Sequence, residues 1–326
     1  MTPRCIGLGL TVLALLCGCR DNHSVLTPAA PGAAQIAQLS WLLFAFATAV
    51  LIIVLGALWL AIQGSQAMRA LLAGSGAVVV GGIVFPTVTL SALLGYGLWL
   101  TRAHVSATGQ DHVQRIEVIG EQWWWRVIYT GAANEVPTPA ANEIRVPVGR
   151  QVEFTLRSAD VIHSFWVPSL GGKVDMIPGR TTHLRVVPER AGVFRGACAE
   201  YCGGPHALMA FEVVAMPPAD FETWLASQAA PAADGAGRGH ELFVAAGCGG
   251  CHAIRGTLAA GTIGPDLTHI GSRRSVGLDT LPLTKANLAR FITDGQHIKP
   301  GNLMPPFRIF TENELDAIAA YLAGLR

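Results

Sequence analysis

The stretch Cys198-Ala-Glu-Tyr-Cys202-Gly-Gly-Pro-His206-Ala-Leu-Met209 places two thiols, an imidazole and a thioether within twelve residues. Sulfur and imidazole donors suit copper, whereas magnesium, calcium and manganese prefer oxygen ligands. The stretch connects Val193-Phe194-Arg195 to Ala210-Phe211-Glu212, two segments with the composition of β-strands. A loop between two paired strands is fixed at both ends, so it predicts a copper site. The alternative, a Cys198–Cys202 disulfide, would need neither the histidine nor the methionine.

Short β-type segments surround this loop and predict a β domain. Glycine and proline clusters separate them, which is typical of an antiparallel sandwich or barrel, and about 110 residues suffice for one core. His163, in Val-Ile-His163-Ser-Phe-Trp, ends one β-rich region and is a further candidate ligand. The predicted strands include residues 113–119, 144–148, 152–156, 183–187 and 210–214.

The composition of the 326-residue chain indicates membrane segments. Hydrophobic residues make up 51% and charged residues 14%, a balance unusual for a soluble protein. The formal net charge of +1 gives no electrostatic argument for nucleic acid. Arg69 is the only charged residue within residues 22–101, and the apolar stretches 39–62 and 71–100 each exceed the roughly 20 residues that cross a bilayer. We therefore expect a transmembrane helical hairpin over residues 35–103. The second stretch contains helix-breaking residues that predict a kink, namely Gly81, Gly82 and Pro86.

The N-terminus has the features of an export signal. Arg4 precedes an apolar run, and Leu16-Cys17-Gly18-Cys19 resembles a bacterial lipobox. Residues 1–18 would then be removed and Cys19 would carry lipid; an ordinary or uncleaved signal peptide is the alternative. Export leaves the N-terminus outside, and the loop at Arg69 would be cytoplasmic, as the positive-inside rule prefers. Everything after the second span would lie on the periplasmic side of the bacterial inner membrane.

A second motif, Cys248-Gly-Gly-Cys251-His252, has the spacing of covalent c-type haem attachment. The two thiols could form thioethers with the haem, and the histidine could bind its iron. Met304, the only methionine after the motif, is the candidate sixth ligand; His269, His297 or an open position are the alternatives. Thr311-Glu-Asn-Glu314 predicts a capping box that opens a terminal helix.

These motifs resemble two known families. The His163 segment, Lys173-Val-Asp175-Met-Ile-Pro178-Gly179-Arg180 and the stretch from Cys198 to Met209 are similar to subunit II of the haem-copper cytochrome c oxidases. Gly264-Pro265-Asp266-Leu267 together with Met304 resembles class I cytochrome c. The resemblance implies a multidomain membrane protein with four parts after the signal: a transmembrane hairpin over 35–103, an all-β cupredoxin domain over 104–225, a linker over 226–238 and an all-α cytochrome c domain over 239–326.

The first resemblance implies a dinuclear copper centre, CuA. Cys198 and Cys202 would bridge two coppers that share one electron. The terminal ligands would be His163, His206, Met209 and the backbone carbonyl of Glu200.

The same resemblance implies roles around this centre. The Glu200 carboxylate would face a magnesium site at the boundary with subunit I, and Asp175 and Arg180 would lie near that boundary. Trp123, within Gln122-Trp123-Trp124-Trp125, corresponds to the tryptophan through which electrons enter in the family. Because aromatic burial is common, a core or membrane-interface role is the alternative for each tryptophan. On a strand, Trp123 and Trp125 would face one way and Trp124 the other.

The resemblance implies the electron-entry subunit of a respiratory terminal oxidase, a proton-translocating cytochrome-c oxidase. Electrons would pass from cytochrome c or another periplasmic donor through haem c and CuA to subunit I, which reduces oxygen to water. The expected partners are subunit I, subunit III, the donor and membrane lipid, without nucleic acid. The chain itself would hold no oxygen-reducing site. It departs from the family in having no acid between Asp21 and Asp111, where a glutamate often marks a proton entry.

Three alternatives remain open from the sequence. One is the electron-entry subunit of a CuA-type nitric oxide reductase, which only the neighbouring subunit would distinguish. Another is a quinol oxidase subunit II, which lacks the copper ligands found here. The third is a membrane-tethered redox carrier or copper-binding module without a catalytic partner.

Overall fold

The computed structural model describes residues 22–105, 113–130, 137–232, 235 and 237–326. The predicted signal peptide and the predicted lipidation site at Cys19 lie outside the described residues. The chain divides into two compact units. One contains residues 35–111, and the other contains residues 1–34 together with 112–326.

The smaller unit contains the two predicted apolar stretches as helices. Helix α1 is Pro31–Gln63, and a second helical run consists of α2 (Gln66–Leu72), α3 (Ser75–Val79), a π-helical turn (Val80–Val84) and α4 (Phe85–Val105). Pro31–Gln63 and Ser75–Leu100 are each long and apolar enough to cross a membrane. Phe46 stacks on Phe85 with their ring centroids 6.1 Å apart. The prediction of two membrane-capable helices is confirmed.

The predicted irregularity in the second helical run takes the form of the π-helical turn. This turn contains Gly81 and Gly82 and directly precedes Phe85-Pro86. The amide of Phe85 donates to the carbonyl of Val80, five residues earlier. Because the proline nitrogen carries no hydrogen, a local change of hydrogen-bond register before it is expected.

The β domain is a sandwich of two five-stranded sheets, ordered β3-β2-β1-β5-β8 and β4-β10-β9-β6-β7. Most neighbouring strands are antiparallel, as predicted, but β1 pairs with β5 and β4 pairs with β10 in parallel. The purely antiparallel prediction is therefore wrong at these two pairs. The strands are β1 Gln114–Glu121, β2 Trp124–Thr130, β3 Thr138–Ala141, β4 Glu143–Pro147, β5 Val152–Ser158, β6 His163–Trp166, β7 Val174–Met176, β8 Thr182–Val186, β9 Gly192–Cys198 and β10 Ala210–Met216.

An aromatic cluster fills the centre of the sandwich. Trp125 is fully buried, and its ring lies 4.9 Å from that of Phe211 and 6.0 Å from that of Phe165. Gly196 stands opposite Phe211 on the neighbouring strand, and a Cβ on this glycine would lie 2.3 Å from the Phe211 ring. The glycine thus leaves room for an aromatic ring two residues before Cys198.

The residues that precede α1 pack on the β domain. The amide of Ala29 donates to Ser169 at 2.7 Å, and the carbonyl of Ala29 accepts from the amide of Glu189 at 2.8 Å. The carbonyl of Asn22 accepts from the amide of Arg195 at 3.1 Å. The segment before the first predicted span and the segment after the second therefore belong to one unit, as a hairpin of two spans requires.

The C-terminal domain, residues 237–326, is helical with one small β-ribbon. After β10 come α5 (Pro218–Ala229), α6 (Arg238–Ala245), a 3-10 turn (Cys248–Gly250), a second 3-10 turn (Ile270–Ser272), β11 (Ser275–Val276), β12 (Leu281–Pro282), α7 (Lys285–Ile298) and α8 (Glu312–Gly324). Helices α6 and α8 cross at Gly239, where a Cβ would lie 2.2 Å from the carbonyl oxygen of Ala317. The predicted capping box at Thr311 and Glu314 is confirmed.

The predicted linker over 226–238 is shorter than expected. Helix α5 continues to Ala229, because an amphipathic sequence with Phe221 and Gln228 buried extends it. Ala232 then donates its amide to the carbonyl of Arg255 at 2.9 Å, and the Arg255 guanidinium donates to Gln228 at 2.6 Å. The start of this connection is therefore bound to the C-terminal domain.

Candidate functional sites: a metal centre and an apolar cavity

Strand pairing brings the predicted copper ligands together. His163 begins β6 and Cys198 ends β9, and these strands pair so that Phe165 stands opposite Cys198. The loop that follows contains Cys202 and ends in a 3-10 turn, His206–Leu208. The amide of Cys198 donates to the carbonyl of Met209 at 3.0 Å and closes the loop at its base.

Six donor atoms of these residues converge in one place. Around Cys198 Sγ lie the Nδ1 of His163 at 3.9 Å and the carbonyl oxygen of Glu200 at 3.1 Å. Around Cys202 Sγ lie the Nδ1 of His206 at 3.5 Å and the Sδ of Met209 at 3.7 Å. The ligand atoms of His163, Cys198 and Cys202 all lie within 4.8 Å of one another. Two thiols, two imidazoles, a thioether and one carbonyl form a donor set that fits copper.

One of the two thiols, that of Cys198, is prepared to lose its proton. A hydrogen bond from the Cys202 thiol, followed by one from His163, lowers the pKa of Cys198 to about 4. The same pairing raises the pKa of Cys202. Because thiolates and not thiols bind metals, the pair offers one ready thiolate, and metal binding would have to displace the remaining proton.

Asp160, which the sequence analysis did not single out, orients His163. Its Oδ1 lies 2.8 Å from His163 Nε2 and accepts from the amide of Val161 at 2.6 Å, while its Oδ2 accepts from the amide of Gln122 at 2.6 Å. Burial lowers the pKa of His163, but hydrogen bonds with Cys198 and Asp160 outweigh it and raise the pKa overall. The carboxylate thereby directs Nδ1 at the thiols. The only sequence signal for this role was that Asp160 lies three residues before the candidate ligand His163.

The Glu200 side chain points away from the thiols. Its carboxylate lies 3.3 Å from the ammonium of Lys173, which also lies 3.6 Å from Asp175. Asp175 accepts a hydrogen bond from Ser164 at 2.8 Å. Glu200 thus offers its backbone carbonyl to the metal centre and its exposed carboxylate to a neighbouring cation.

An apolar cavity of about 250 Å³ lies in the C-terminal domain and is also lined by residues of the β domain, namely Gln122, Trp123, Trp124 and Asn142. The cavity lining includes all four predicted haem residues, Cys248, Cys251, His252 and Met304. Most of the remaining lining is apolar, including Leu288, Ile292, Phe307, Ile318 and Leu322. Both cysteines are free thiols. The lining, with thiols, imidazole and thioether around an apolar space, fits a covalently attached haem.

The histidine at this cavity is fixed and neutral. His252 Nδ1 donates to the carbonyl of Pro265 at 2.8 Å, which leaves Nε2 as the free ligand nitrogen. Burial lowers the pKa of His252. Gly264 lies against the ring, since a Cβ there would be 2.5 Å from His252 Cε1.

Met304 faces the cavity, and the two rival histidines do not line it. The Met304 amide donates to Asn302 Oδ1 at 2.9 Å, and its carbonyl accepts from Gln296 at 3.0 Å. His269 Nε2 instead donates to the carbonyl of Ala230 at 3.0 Å, and His297 is exposed. Of the candidates for the sixth ligand among the described residues, only Met304 belongs to the lining.

Trp123 contacts both sites. It lies in the two-residue turn between β1 and β2, because Glu121 pairs with Trp124, so the prediction that Trp123 lies on a strand is wrong. Its indole Nε1 donates to the carbonyl of Cys202 at 2.9 Å. The same side chain, together with Trp124, lines the cavity of the C-terminal domain. Trp125 is in the core instead.

Comparisons with known proteins find a family match for each of the two domains. Residues 114–216 match the family described as cytochrome c oxidase subunit II, periplasmic domain, and residues 236–326 match the family described as cytochrome c. Cytochrome c oxidase subunit 2 of Alkalihalophilus pseudofirmus is 39% identical over 220 residues, covering 66% of this chain and 62% of the relative. The protein of the same name from Bacillus sp. strain PS3 is 30% identical over 231 residues, covering 65% and 62%.

The matched region thus spans 62% of the length of both relatives. Among solved structures, the periplasmic domain of subunit II of cytochrome oxidase from Bradyrhizobium japonicum is 28% identical. That match covers 37% of this chain and 95% of the solved chain, with a TM-score of 0.34.

Proposed function

We propose that the chain is the electron-entry subunit of a respiratory terminal oxidase, because residues 114–216 match the periplasmic domain family of cytochrome c oxidase subunit II and residues 236–326 match the cytochrome c family. Electrons from a cytochrome c donor would enter at haem c, continue to CuA and reach the haem-copper site of subunit I, where oxygen is reduced to water. Both domains would lie on the outer face of the bacterial inner membrane, anchored by the two apolar helices.

One observation supports this function above the others. The candidate copper site and the candidate haem cavity belong to one compact unit, and Trp123 contacts both of them. A binding module or a simple copper store would have no use for a second redox site in contact with the first. An internal electron route explains why the two sites occur in one chain.

The chain would hold its cofactors through residues on fixed elements. His163, Cys198, Cys202, His206, Met209 and the Glu200 carbonyl would bind copper, and Cys248, Cys251, His252 and Met304 would bind haem. Copper and haem supply one-electron chemistry when bound. His163, Cys202 and Met209 are 0%, 2% and 1% exposed. His163 lies on β6, whereas Cys202 and Met209 lie on the loop between β9 and β10. Their burial keeps water out and holds the ligands still, which favours fast electron transfer.

The outward-facing side chains near the metal loop would meet subunit I. Glu200 carries an exposed carboxylate next to Lys173 and Asp175, and we include in the proposal that it contributes to a magnesium site completed by subunit I. Arg180 would lie at the same boundary. Subunit III and membrane lipid complete the expected partners. Because residues 22–101 contain no acid, the proton route would depend on acidic groups of subunit I.

The full chain, produced with copper and haem supplied, tests the function. We expect one haem and two coppers per chain, a copper spectrum of a mixed-valence pair, and co-purification with a haem-copper subunit. Copper bound only singly would contradict the dinuclear site. A co-purifying partner that reduces nitric oxide would identify the chain as a subunit of a nitric oxide reductase and not of an oxidase. The absence of any partner would favour a tethered redox carrier.

The axial ligand has its own test. Met304→Ala should abolish the methionine-ligated haem spectrum while leaving copper binding unchanged. Because Met304 is the only candidate that lines the cavity, His269→Ala should leave the spectrum unaltered. An unchanged spectrum in Met304→Ala would instead point to His269 or His297 as the sixth ligand.

A further inference from the structure

The β domain and the C-terminal domain meet through a set of polar contacts with a lysine among them. Ion pairs join Arg274 to Glu212 at 2.8 Å and Asp279 to Arg195 at 2.9 Å. Separately, the ammonium of Lys299 donates to the backbone carbonyl of Trp123. The C-terminal domain is thus seated on the turn that also contacts the metal loop.

Lys299 is buried to an unusual degree for a lysine. Lys299 is only 2% exposed, whereas lysines are almost never fully buried unless they are paired. Its partner comes from the other domain, so this hydrogen bond exists only when the two domains are in contact. Burying an amino group costs free energy unless it is hydrogen-bonded, so the bond to Trp123 matters for the packing of the two domains.

The backbone around Lys299 fixes the direction of the side chain. The Lys299 amide donates to Gly295 at 2.8 Å, and the Lys299 carbonyl accepts from the side chain of Asn302 at 2.9 Å. Helix α7 ends immediately before this residue. The amino group is therefore held towards Trp123 by a rigid segment and not by a flexible surface loop.

Gly301 extends the same contact to the metal loop. Its φ of +86° favours glycine, and a Cβ there would lie 3.5 Å from Pro205 and 3.8 Å from the Trp123 ring. Three residues later comes Met304, which lines the cavity. A single short segment thus joins the candidate axial ligand to Trp123 and to the loop that carries Cys202.

We propose that the segment 299–301 is the internal dock between the two redox domains, with Lys299 as the positioning residue that holds the C-terminal domain on Trp123. This inference rests on the proposed function for its purpose, which is to keep the haem cavity at a fixed place beside the copper loop. The two domains would then keep a fixed relative position and would not be joined by a flexible linker alone.

The test compares Lys299→Glu with Lys285→Glu in the full chain loaded with copper and haem. Lys285 is the first residue of α7 and Lys299 follows its last residue, and both substitutions replace a lysine with a glutamate. Lys285 pairs with Asp316 within the C-terminal domain at 2.8 Å, away from the interface. At position 299 a carboxylate would face a carbonyl oxygen with no proton to donate, so the buried contact should open.

Two readouts are expected to change together. Hydrogen–deuterium exchange in residues 120–125 and 203–205 should rise about tenfold in Lys299→Glu, and the rate of electron transfer from haem to copper should fall about tenfold, as the loss of one buried hydrogen bond implies. Lys285→Glu should stay within about twofold of the wild type. Unchanged haem and copper spectra would show that both sites remain folded.

Lys299→Met serves as the second variant should Lys299→Glu fail to fold. It keeps the side-chain length but removes the donor to Trp123, so exchange should rise by a smaller factor. Exchange in both variants within twofold of Lys285→Glu would overturn the dock. If the wild type transfers no electrons between haem and copper, the proposed function fails, while exchange still decides whether Lys299 seats the domain.

Discussion

Gly264→Ala should displace the imidazole of His252 from its place at the haem cavity. A Cβ built on Gly264 would lie 2.5 Å from His252 Cε1 and 2.8 Å from Nδ1. Non-bonded carbon atoms prefer separations near 3.5 to 4 Å, so the ring or the loop would have to move by about 1 Å. That displacement is large for a group that must meet an iron atom at bonding distance.

Neither side of this contact can yield easily. The His252 ring is fixed by its hydrogen bond to Pro265 at 2.8 Å, and its amide donates to Cys248 at 3.0 Å. The amide of Gly264 donates to Cys251 at 2.8 Å, so the loop is tied to the haem motif itself. Overpacking of this kind costs about 1–3 kcal/mol.

The assay is denaturant unfolding of the haem-loaded chain together with its visible absorption spectrum. Gly250→Ala is the control, because Gly250 lies within the haem motif to which Gly264 is hydrogen-bonded and a Cβ on Gly250 meets nothing within 4 Å. We expect Gly264→Ala to unfold with about 1–3 kcal/mol less free energy than Gly250→Ala and to lose part of its low-spin haem spectrum. Equal stability and equal spectra in the two variants would refute the steric reasoning.

Three further predictions concern other close contacts. Gly120→Ala should weaken copper binding about tenfold in chelator competition, with haem uptake unchanged, because its Cβ would lie 2.7 Å from the His163 ring. Gly196→Ala should lower the free energy of unfolding by about 1–3 kcal/mol, and this loss should shrink when Phe211 is also changed to alanine. Burial lowers the pKa of Lys299 from 10.5 to about 7. Above pH 7 the unfolded chain therefore binds more protons than the folded chain. The free energy of unfolding, relative to that of Lys299→Met, should rise by about 1 kcal/mol per pH unit between pH 7 and 9. A flat difference between the two proteins over this range would contradict the burial of the amine.

The candidate metal ligands could be recognised in the sequence because their spacing is local. Cys198, Cys202, His206 and Met209 lie on one loop, so chain connectivity alone keeps them close. His163 was a candidate because it ends a β-rich segment, and the pairing of β6 with β9 then brought it to the loop. The haem motif and Met304 were recognisable for a similar reason, since residue type and spacing carry the chemistry.

The position of Trp123 and the roles of Asp160 and Lys299 could not be predicted in this way. A strand assignment for Trp123 was reasonable from composition, but the register between β1 and β2 puts it in the turn. Asp160 matters through a hydrogen bond to His163, and Lys299 through one to Trp123, 176 residues away. Single residues carry no signal of such partners, because long-range contacts depend on how whole elements pack.

Ligand types, their spacing and long apolar runs are local properties of the chain, so the candidate ligands and the order of the domains could be predicted without coordinates. The contact of Trp123 with both candidate sites, and the packing of the C-terminal domain on the β domain, became apparent only in the folded structure. The contact between these two domains depends on a buried lysine, on two ion pairs and on glycines at positions where a side chain would not fit. None of these features can be recognised until the packed surfaces of both domains are known.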